Sequence, residues 1–287
     1  MKVSPKYFAI VMIGLVYPTT NTRLEPTSRG TIVYYDVMQD EVVIAADSRG
    51  TDPDGKHLDT QCKISAYNNK GVFAGFGSDH VDITIRNQKP VTWDAHKVAK
   101  RSFTVAERSK TTKPVSQVAA RYWANAAKKT FQPALTDDPE DFAATLERNH
   151  FGIVGAVFAS IDAKGSLSVF EVVVNYIPDP KAPPTITTHV DPIGHFQTGA
   201  QGFTTVPQEF EVLKTPRSKA EFTKWQNSLA PADREGVRFR ELRAIQFAKW
   251  TVEFDTSGDV GGSVDAIVLG PKGVQWLAKK DSCKAAE

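Results

Sequence analysis

The sequence lacks an excess of charge of either sign. Its 287 residues include 35 Lys and Arg against 33 Asp and Glu, which leaves a formal net charge of only +2. Proteins that bind nucleic acid through its phosphates carry a marked basic excess, so we expect no nucleic-acid partner. Hydrophobic residues make up 41% of the chain and charged residues 24%. This composition excludes a disordered chain and is typical of a globular domain.

Cysteine and obvious ligand motifs are also scarce. Cys62 and Cys283 are the only cysteines, and two residues so far apart in sequence suit neither a zinc site nor a disulfide framework. We therefore predict two free thiols. His189 and His195 flank a segment with proline and glycine rather than showing the spacing of metal ligands, and Gly75–Gly77 is too short for a phosphate-binding loop. We expect no metal and no cofactor.

Long hydrophobic runs are missing as well. A helix needs about 20 apolar residues to cross a bilayer, whereas the apolar run near the start extends only from Tyr7 to Tyr17. We therefore expect no stable membrane span. Because Lys2 and Lys6 precede this run, it resembles the core of a signal peptide. We interpret residues 1–30 as a leader and expect a periplasmic or secreted protein. The alternatives are a pro-segment or a first strand, in a cytoplasmic protein.

Beyond the leader, the sequence contains hairpins grouped between helices. Apolar and β-branched runs on either side of polar turns predict hairpins at residues 31–47, 62–76, 151–176 and 264–277. Amphipathic patterns predict helices at residues 93–108, 114–131 and about 217–251, broken near Pro231, with an acidic loop at 136–141. This order favours antiparallel sheets covered by helices over alternating βαβ units. We predict one α+β domain over residues 31–287.

Three polar residues at the ends of predicted strands could perform chemistry together: Thr31, Asp47 and Lys63. If the chain were cut after Gly30, Thr31 would carry a hydroxyl nucleophile and a free α-amine. The pKa of such an amine, roughly 7.7–8.0, suits a general base. The Lys63 ammonium would lower the pKa of the amine, and Asp47 would hold the lysine in place. This combination suits acyl transfer, although each residue taken singly is also typical of a strand end or an ion pair.

The motifs around these residues resemble those of proteasome β-type subunits. The matching segments are Gly30-Thr31-Ile-Val, Val42-Val-Ile-Ala-Ala-Asp47-Ser-Arg49-Gly-Thr51 and Cys62-Lys63-Ile64, without a gap. Further similar segments are Phe73-Ala-Gly75-Phe-Gly77-Ser-Asp79, Gly261-Gly-Ser-Val-Asp-Ala-Ile-Val and Gly273-Val-Gln-Trp-Leu. The resemblance extends over residues 30 to about 280, and its specificity comes from the order and spacing of the motifs.

The resemblance implies a four-layer αββα sandwich of the N-terminal-nucleophile (Ntn) hydrolases. It implies that Thr31 is nucleophile and base, that Lys63 and Asp47 are its catalytic partners, and that Arg49 supports the Asp47 loop. The Gly75 amide would stabilise the oxyanion. The residues implied at the substrate are Gly50, Thr51, Ser65, Phe73 and Gly77, with medium apolar side chains accepted. The family also implies a peptide or protein substrate and a homo-oligomeric ring.

The sequence departs from the family pattern at three points. Ile32 replaces the threonine that often follows the nucleophile, and Gly199-Ala-Gln-Gly202 lacks the serine of the family's Gly-Ser-Gly turn. In place of Asp-x-x-Ser, the chain has Asp255 or Asp259 with Val260. Three functions therefore follow as hypotheses: a self-processing threonine peptide or amide hydrolase, a catalytically inactive assembly subunit, and an Ntn amidase acting on small molecules.

Overall fold

The computed structural model describes most of the chain from Arg23 onward. The described residues are 23–26, 32–51, 56–78, 80–86, 88–147, 152–177, 185–202, 216–255, 258, 260–280 and 283. The predicted nucleophile Thr31 lies outside this set, as do the apolar run of the predicted leader, Asp79 and Asp259.

Strands and helices follow one another in blocks. The strands within the described residues are β1 (Arg23–Pro26), β2 (Val33–Val37), β3 (Val42–Ala46), β4 (Gly50–Thr51), β5 (His57–Leu58), β6 (Ile64–Tyr67), β7 (Gly71–Gly77), β8 (His80–Thr84), β9 (Val91–Asp94), β10 (Gly152–Ile161), β11 (Leu167–Ile177), β12 (Thr185–Ile193), β13 (Thr198–Gln201), β14 (Asp265–Gly270) and β15 (Gly273–Ala278). The helices are α1 (Ala95–Arg108), α2 (Val115–Asp137), α3 (Pro139–Glu147), α4 (Pro216–Ser228) and α5 (Gly236–Phe254), with a 3-10 turn at Pro231–Asp233. None of these helices is both long and apolar enough to cross a membrane.

Two five-stranded antiparallel sheets form the centre of the fold. Sheet I has the order β13-β2-β3-β14-β15, and sheet II has the order β12-β11-β10-β7-β6. The four predicted hairpins are confirmed as β2–β3, β6–β7, β10–β11 and β14–β15. Smaller sheets join β1 to β8 and β9, and β4 to β5. The prediction of a mixed fold with grouped antiparallel hairpins is therefore confirmed at this level.

The alternation of side chains along β7 directs them into two hydrophobic clusters. Val72 and Ala74 pack against sheet I, where they meet residues such as Ile44. Phe73 points the other way and packs with Trp123 and other residues of α1 and α2. A third cluster lies between sheet I and α5. Because each fully buried large apolar side chain contributes roughly 1.5–3 kcal/mol, these clusters hold the elements together in an arrangement compatible with a sandwich.

The structure differs from the prediction at the start of α1 and around α3. The helix predicted from residue 93 begins at Ala95, because Asp94 is its N-cap and accepts a hydrogen bond from the Lys97 N–H at 2.9 Å. The acidic loop predicted at 136–141 is instead helical on both sides of Asp138. Asp138 Oδ1 accepts from the Asp141 N–H at 3.0 Å, so acidic residues that suggested a loop in fact start α3.

Cys62 and Cys283 form a disulfide, so the prediction of two free thiols is wrong. Their Cα atoms lie 5.4 Å apart although 221 positions separate them in sequence. The pairing could not be inferred from spacing, because the segment after β15 meets the segment before β6 only in the folded chain. The bond places a covalent link directly beside Lys63.

Candidate functional site

Asp47 lies at the end of β3, and its carboxylate is fully buried. Three backbone N–H groups donate to it: Ile32 to Oδ1 at 3.0 Å, Gly261 to Oδ2 at 3.1 Å, and Arg49 to Oδ2 at 3.2 Å. Hydrogen bonds from several donors favour the ionised carboxylate and hold it in one orientation. Asp47 therefore connects the residue that follows Thr31 in sequence with the segment that precedes β14.

The register of sheet I explains why Asp47 reaches both neighbours. Ala46, the last residue of β3, lies opposite Val33 of β2 and Asp265 of β14. The next residue therefore leaves the sheet between the start of β2 and the start of β14. An acidic residue at this position is surrounded by strand ends, where amides are available to bind it.

Burial is the largest influence on the pKa of Asp47. It raises this pKa from 3.8 to about 7, while Lys63 and the amides of Gly261, Ile32 and Arg49 act to lower it. Burial penalises the charged form, and the positive charge and N–H donors oppose that penalty. The carboxyl group consequently titrates near neutral pH.

Lys63 lies immediately before β6 and is also fully buried. Its Nζ donates to Gln61 Oε1 at 2.8 Å, and its charge lowers the pKa of Asp47. A buried ammonium group is tolerated only when charge and hydrogen-bond partners compensate its lost hydration. The structure thus brings together two of the three predicted catalytic residues, Asp47 and Lys63.

The amide of Gly75 is engaged within sheet II. Its N–H donates to the Lys63 carbonyl at 3.0 Å, so it is not directed at a substrate as the resemblance implies. Amides two residues apart on a strand point to the same side. The amide of Gly77 therefore points to the same side of β7 as that of Gly75. The described pairing of β6 with β7 ends at Ile64 opposite Ala74, so Gly77 lies beyond it. Gly77 has φ +79°, a conformation that glycine adopts without strain.

Arg49 connects the segment around Asp59 with the segment from Gly258 to Gly261, which also contacts Asp47. Its guanidinium binds both oxygens of Asp59, at 2.7 and 3.0 Å, and the pKa of Asp59 is lowered chiefly by this hydrogen bond. The Arg49 Nη1 also donates to the carbonyls of Gly258 and Val260. A Cβ at Gly261 would lie 2.2 Å from Arg49 Cζ. The absence of a side chain at Gly261 therefore makes room for Arg49.

Two residues predicted to contact substrate lie in the short strand β4. Gly50 and Thr51 pair with Leu58 and His57 of β5. A Cβ at Gly50 would lie 2.2 Å from Cδ of Gln61, the residue that accepts the Lys63 hydrogen bond. Gly50 therefore packs directly against the group that holds Lys63.

Ser65 and Phe73 have different surroundings although both are predicted at the specificity pocket. Ser65 lines a cavity of about 770 Å³ beside β6 and shares a 2.6 Å hydrogen bond with His96 Nδ1. Phe73 is fully buried, and its ring packs against His96, Trp123 and Phe158 at centroid distances of 4.9, 5.9 and 5.1 Å. Phe73 therefore packs in the hydrophobic core behind His96, which itself lines the cavity, and its place at the specificity pocket stays a prediction.

The strand β13 brings the altered Gly-Ala-Gln-Gly segment to the start of β2. Ala200 lies opposite Tyr34 and Gln201 opposite Val33. This is the end of sheet I at which Ile32 meets Asp47. The segment that resembles the family's serine turn therefore lies next to the candidate site, with alanine at position 200.

Several residues of the site are absent from the sequence prediction. Gln61 binds Lys63, the Gly261 amide binds Asp47, and His96 binds Ser65. Gly261 lies within a motif that resembles the family, although the motif does not indicate its contact with Asp47. No motif identifies Gln61 or His96, because both residues lie outside the segments that resemble the family.

Within the described part of the chain, no group of three or more His, Cys, Asp or Glu side chains is arranged to hold a metal ion. No protein-family model matches the sequence, and no curated protein matches it significantly.

Proposed function

We propose that the protein is a proteasome-like Ntn hydrolase that cleaves peptide or amide bonds with Thr31 as its N-terminal nucleophile. The observation that carries this proposal is the buried Asp47 carboxylate, bonded to the Ile32 amide and electrostatically coupled to the buried Lys63. Two large antiparallel sheets that share a hydrophobic cluster, with helices packed on their other faces, support the αββα arrangement that such an enzyme requires.

The proposed reaction begins after removal of residues 1–30. The Thr31 hydroxyl oxygen attacks the carbonyl carbon of the substrate, and its proton passes to the Thr31 α-amine. The protonated amine then gives this proton to the leaving nitrogen as the C–N bond breaks, which leaves an acyl ester on Thr31. Water attacks the ester, and the Thr31 oxygen recovers a proton as the acid product leaves. Lys63 lowers the pKa of the amine, and Asp47 balances the charge of Lys63.

The Gly77 amide takes the oxyanion role in this proposal in place of Gly75. The Gly75 N–H donates to the Lys63 carbonyl, whereas Gly77 lies at the end of β7 and directs its amide to the same side. An oxyanion donor of this kind contributes about 2.7–4 kcal/mol to transition-state stabilisation. Gly50, Thr51 and Ser65 lie on segments that adjoin Lys63, which supports their assignment to the substrate-binding surface.

The compartment and the assembly state are further parts of the proposal. The Cys62–Cys283 disulfide supports a periplasmic or secreted protein, because disulfides persist in oxidising compartments. A homo-oligomeric ring is proposed from the resemblance to the proteasome family.

An inactive assembly subunit is the second candidate function. It is favoured by the alanine at position 200, which lies in β13 next to the start of β2 where the family has a serine hydroxyl. It is also favoured by the engagement of the Gly75 amide within sheet II. In this case residues 1–30 would stay attached, and Asp47 and Lys63 would form a structural ion pair.

The test is the N-terminal sequence and intact mass of the purified protein. Wild type is compared with Thr31→Ala and with a matched control, Thr223→Ala, which removes an exposed helical threonine that does not line the cavity beside β6. We expect wild type and the control to begin at Thr31 and the Thr31→Ala chain to keep its leader. A start near residues 18–24 in all three would place Thr31 inside the mature chain and overturn the hydrolase proposal. Uncut chains in all three would favour the assembly subunit.

A further inference from the structure

The segment after β15 carries a second, largely buried lysine to the candidate site. The Lys280 Nζ donates to the Gln61 carbonyl at 2.6 Å and forms an ion pair with Asp265 Oδ2 at 3.0 Å. Its backbone N–H donates to Asp265 Oδ1 at 2.9 Å. The Lys280 side chain is only 11% exposed and that of Asp265 only 1%. Ordering a long lysine side chain in this way costs conformational entropy, so its geometry is set by these partners.

Gln61 connects Lys280 to Lys63. Its main-chain oxygen accepts from Lys280 Nζ, and its side-chain Oε1 accepts from Lys63 Nζ at 2.8 Å. The Gln61 side chain fills the space next to Gly50, where a Cβ would lie 2.2 Å away. Movement of the Gln61 backbone would therefore move the group that orients the Lys63 ammonium.

The disulfide fixes the same two segments a second time. Cys62 stands between Gln61 and Lys63, and its partner Cys283 lies three residues after Lys280. Cys283 Sγ also contacts Asp265 Oδ2 at 3.3 Å. Cys283 is thus attached to Cys62 by a covalent bond, and Lys280 to Gln61 by a hydrogen bond.

We propose that Lys280 is a positioning residue for Lys63, acting through Gln61, and this inference rests on the proposed hydrolase function. Lys280 holds the Gln61 backbone, and Gln61 holds the Lys63 ammonium where it acts on the Thr31 amine and on Asp47. Burial lowers the pKa of Lys280, and the hydrogen bond and charge of Asp265 oppose this shift. The contact with Asp265 therefore helps to keep the Lys280 ammonium in place beside Gln61.

A purely structural role for Lys280 would be to neutralise the buried Asp265. The variants Lys280→Met and Asp265→Asn/Lys280→Met separate the two roles, because the double variant removes both charges and leaves no unpaired buried carboxylate. Lys279→Met is the matched control, since Lys279 is the neighbouring lysine and lies over the Trp276 ring at 4.6 Å. A structural role predicts normal kinetics in the double variant, whereas a positioning role predicts a defect in it.

Two measurements are made on the protein expressed from the whole sequence, in the form in which it is purified. The first is kcat and KM for a short N-acylated peptide of medium apolar residues with a fluorogenic amide leaving group. We expect kcat of the double variant to fall about tenfold or more with KM within about twofold, because displaced catalytic groups slow the chemical step. The second is a crystal structure of the double variant, in which we expect the contact of Lys63 Nζ with Gln61 Oε1 to be lost.

The two readouts distinguish failure of this inference from failure of the proposed function. If the Lys63–Gln61 contact persists in the double variant, the positioning role is overturned, whatever the kinetics. If the contact is lost while an active enzyme keeps its kcat, the role is also overturned. If wild type cleaves no peptide but the contact is lost, the hydrolase proposal fails while the effect of Lys280 on Lys63 stands. Lys279→Met is expected to match wild type in both measurements.

Discussion

Ionisation of Asp47 is expected to make the folded protein less stable as the pH rises through neutrality. Burial raises the pKa of this carboxyl group from 3.8 to about 7. Between these two values the folded protein holds a proton that the unfolded chain has released. The free energy of unfolding therefore falls as pH increases. The contribution of Asp47 is fully present below pH about 3.8 and is lost as the pH passes about 7.

The size of the effect follows from the difference between the two pKa values. The folded-state pKa exceeds that of the unfolded chain by about 3, and each unit corresponds to 1.36 kcal/mol. Titration of Asp47 therefore lowers the free energy of unfolding by about 4 kcal/mol across this interval. Solvent does not screen this effect, because Asp47 is fully buried. The slope attributable to this one group approaches 1.4 kcal/mol per pH unit near pH 5.5.

The assay is urea denaturation of wild type and Asp47→Asn at several pH values from 4 to 8. The difference in free energy of unfolding, wild type minus variant, should fall with pH by about 4 kcal/mol over this range. Asp141→Asn, which removes one negative charge from an exposed helical position, controls for net charge. A difference that stays flat would refute the assignment. One that rises with pH would mean that Lys63 and the three amides outweigh burial.

Three further predictions concern single contacts. Replacing Cys62 and Cys283 by serine should lower the free energy of unfolding, measured by urea denaturation, by about 2–5 kcal/mol. Reduced wild type should match the variant, and equal stability of oxidised wild type and variant would contradict this prediction. Gly261→Ala places a Cβ 2.2 Å from Arg49 Cζ and should slow self-processing about tenfold or more, measured as the mass of the chain over time; an unchanged rate would show that the loop adapts. Phe73→Ala should destabilise the fold by about 3–5 kcal/mol in thermal or urea unfolding, because Phe73 is fully buried. Unchanged stability would contradict its assignment to the core.

Local sequence patterns are sufficient to predict the hairpins and to place Asp47 and Lys63 next to strand ends. The turn between β6 and β7 shows why, because Asn68 and Asn69 have φ of 48° and 54°, and asparagine tolerates this conformation better than most residues. Period-2 alternation then decides which side chains face each hydrophobic cluster. The sequence also singles out Asp47 and Lys63 as candidate site residues, because charged residues at the ends of apolar strands are unusual.

The partners of those residues were decided only by tertiary structure. Three contacts depend on which distant segments become neighbours in the fold. They are the cysteine pair separated by 221 positions, the hydrogen bond from the Gly75 amide to the Lys63 carbonyl, and the hydrogen bond from Lys280 to Gln61. Sequence patterns encode how a segment bends and which face it buries, because those properties are local. Which donor meets which acceptor depends on the packing of distant strands, and this packing determines how Asp47 and Lys63 are surrounded.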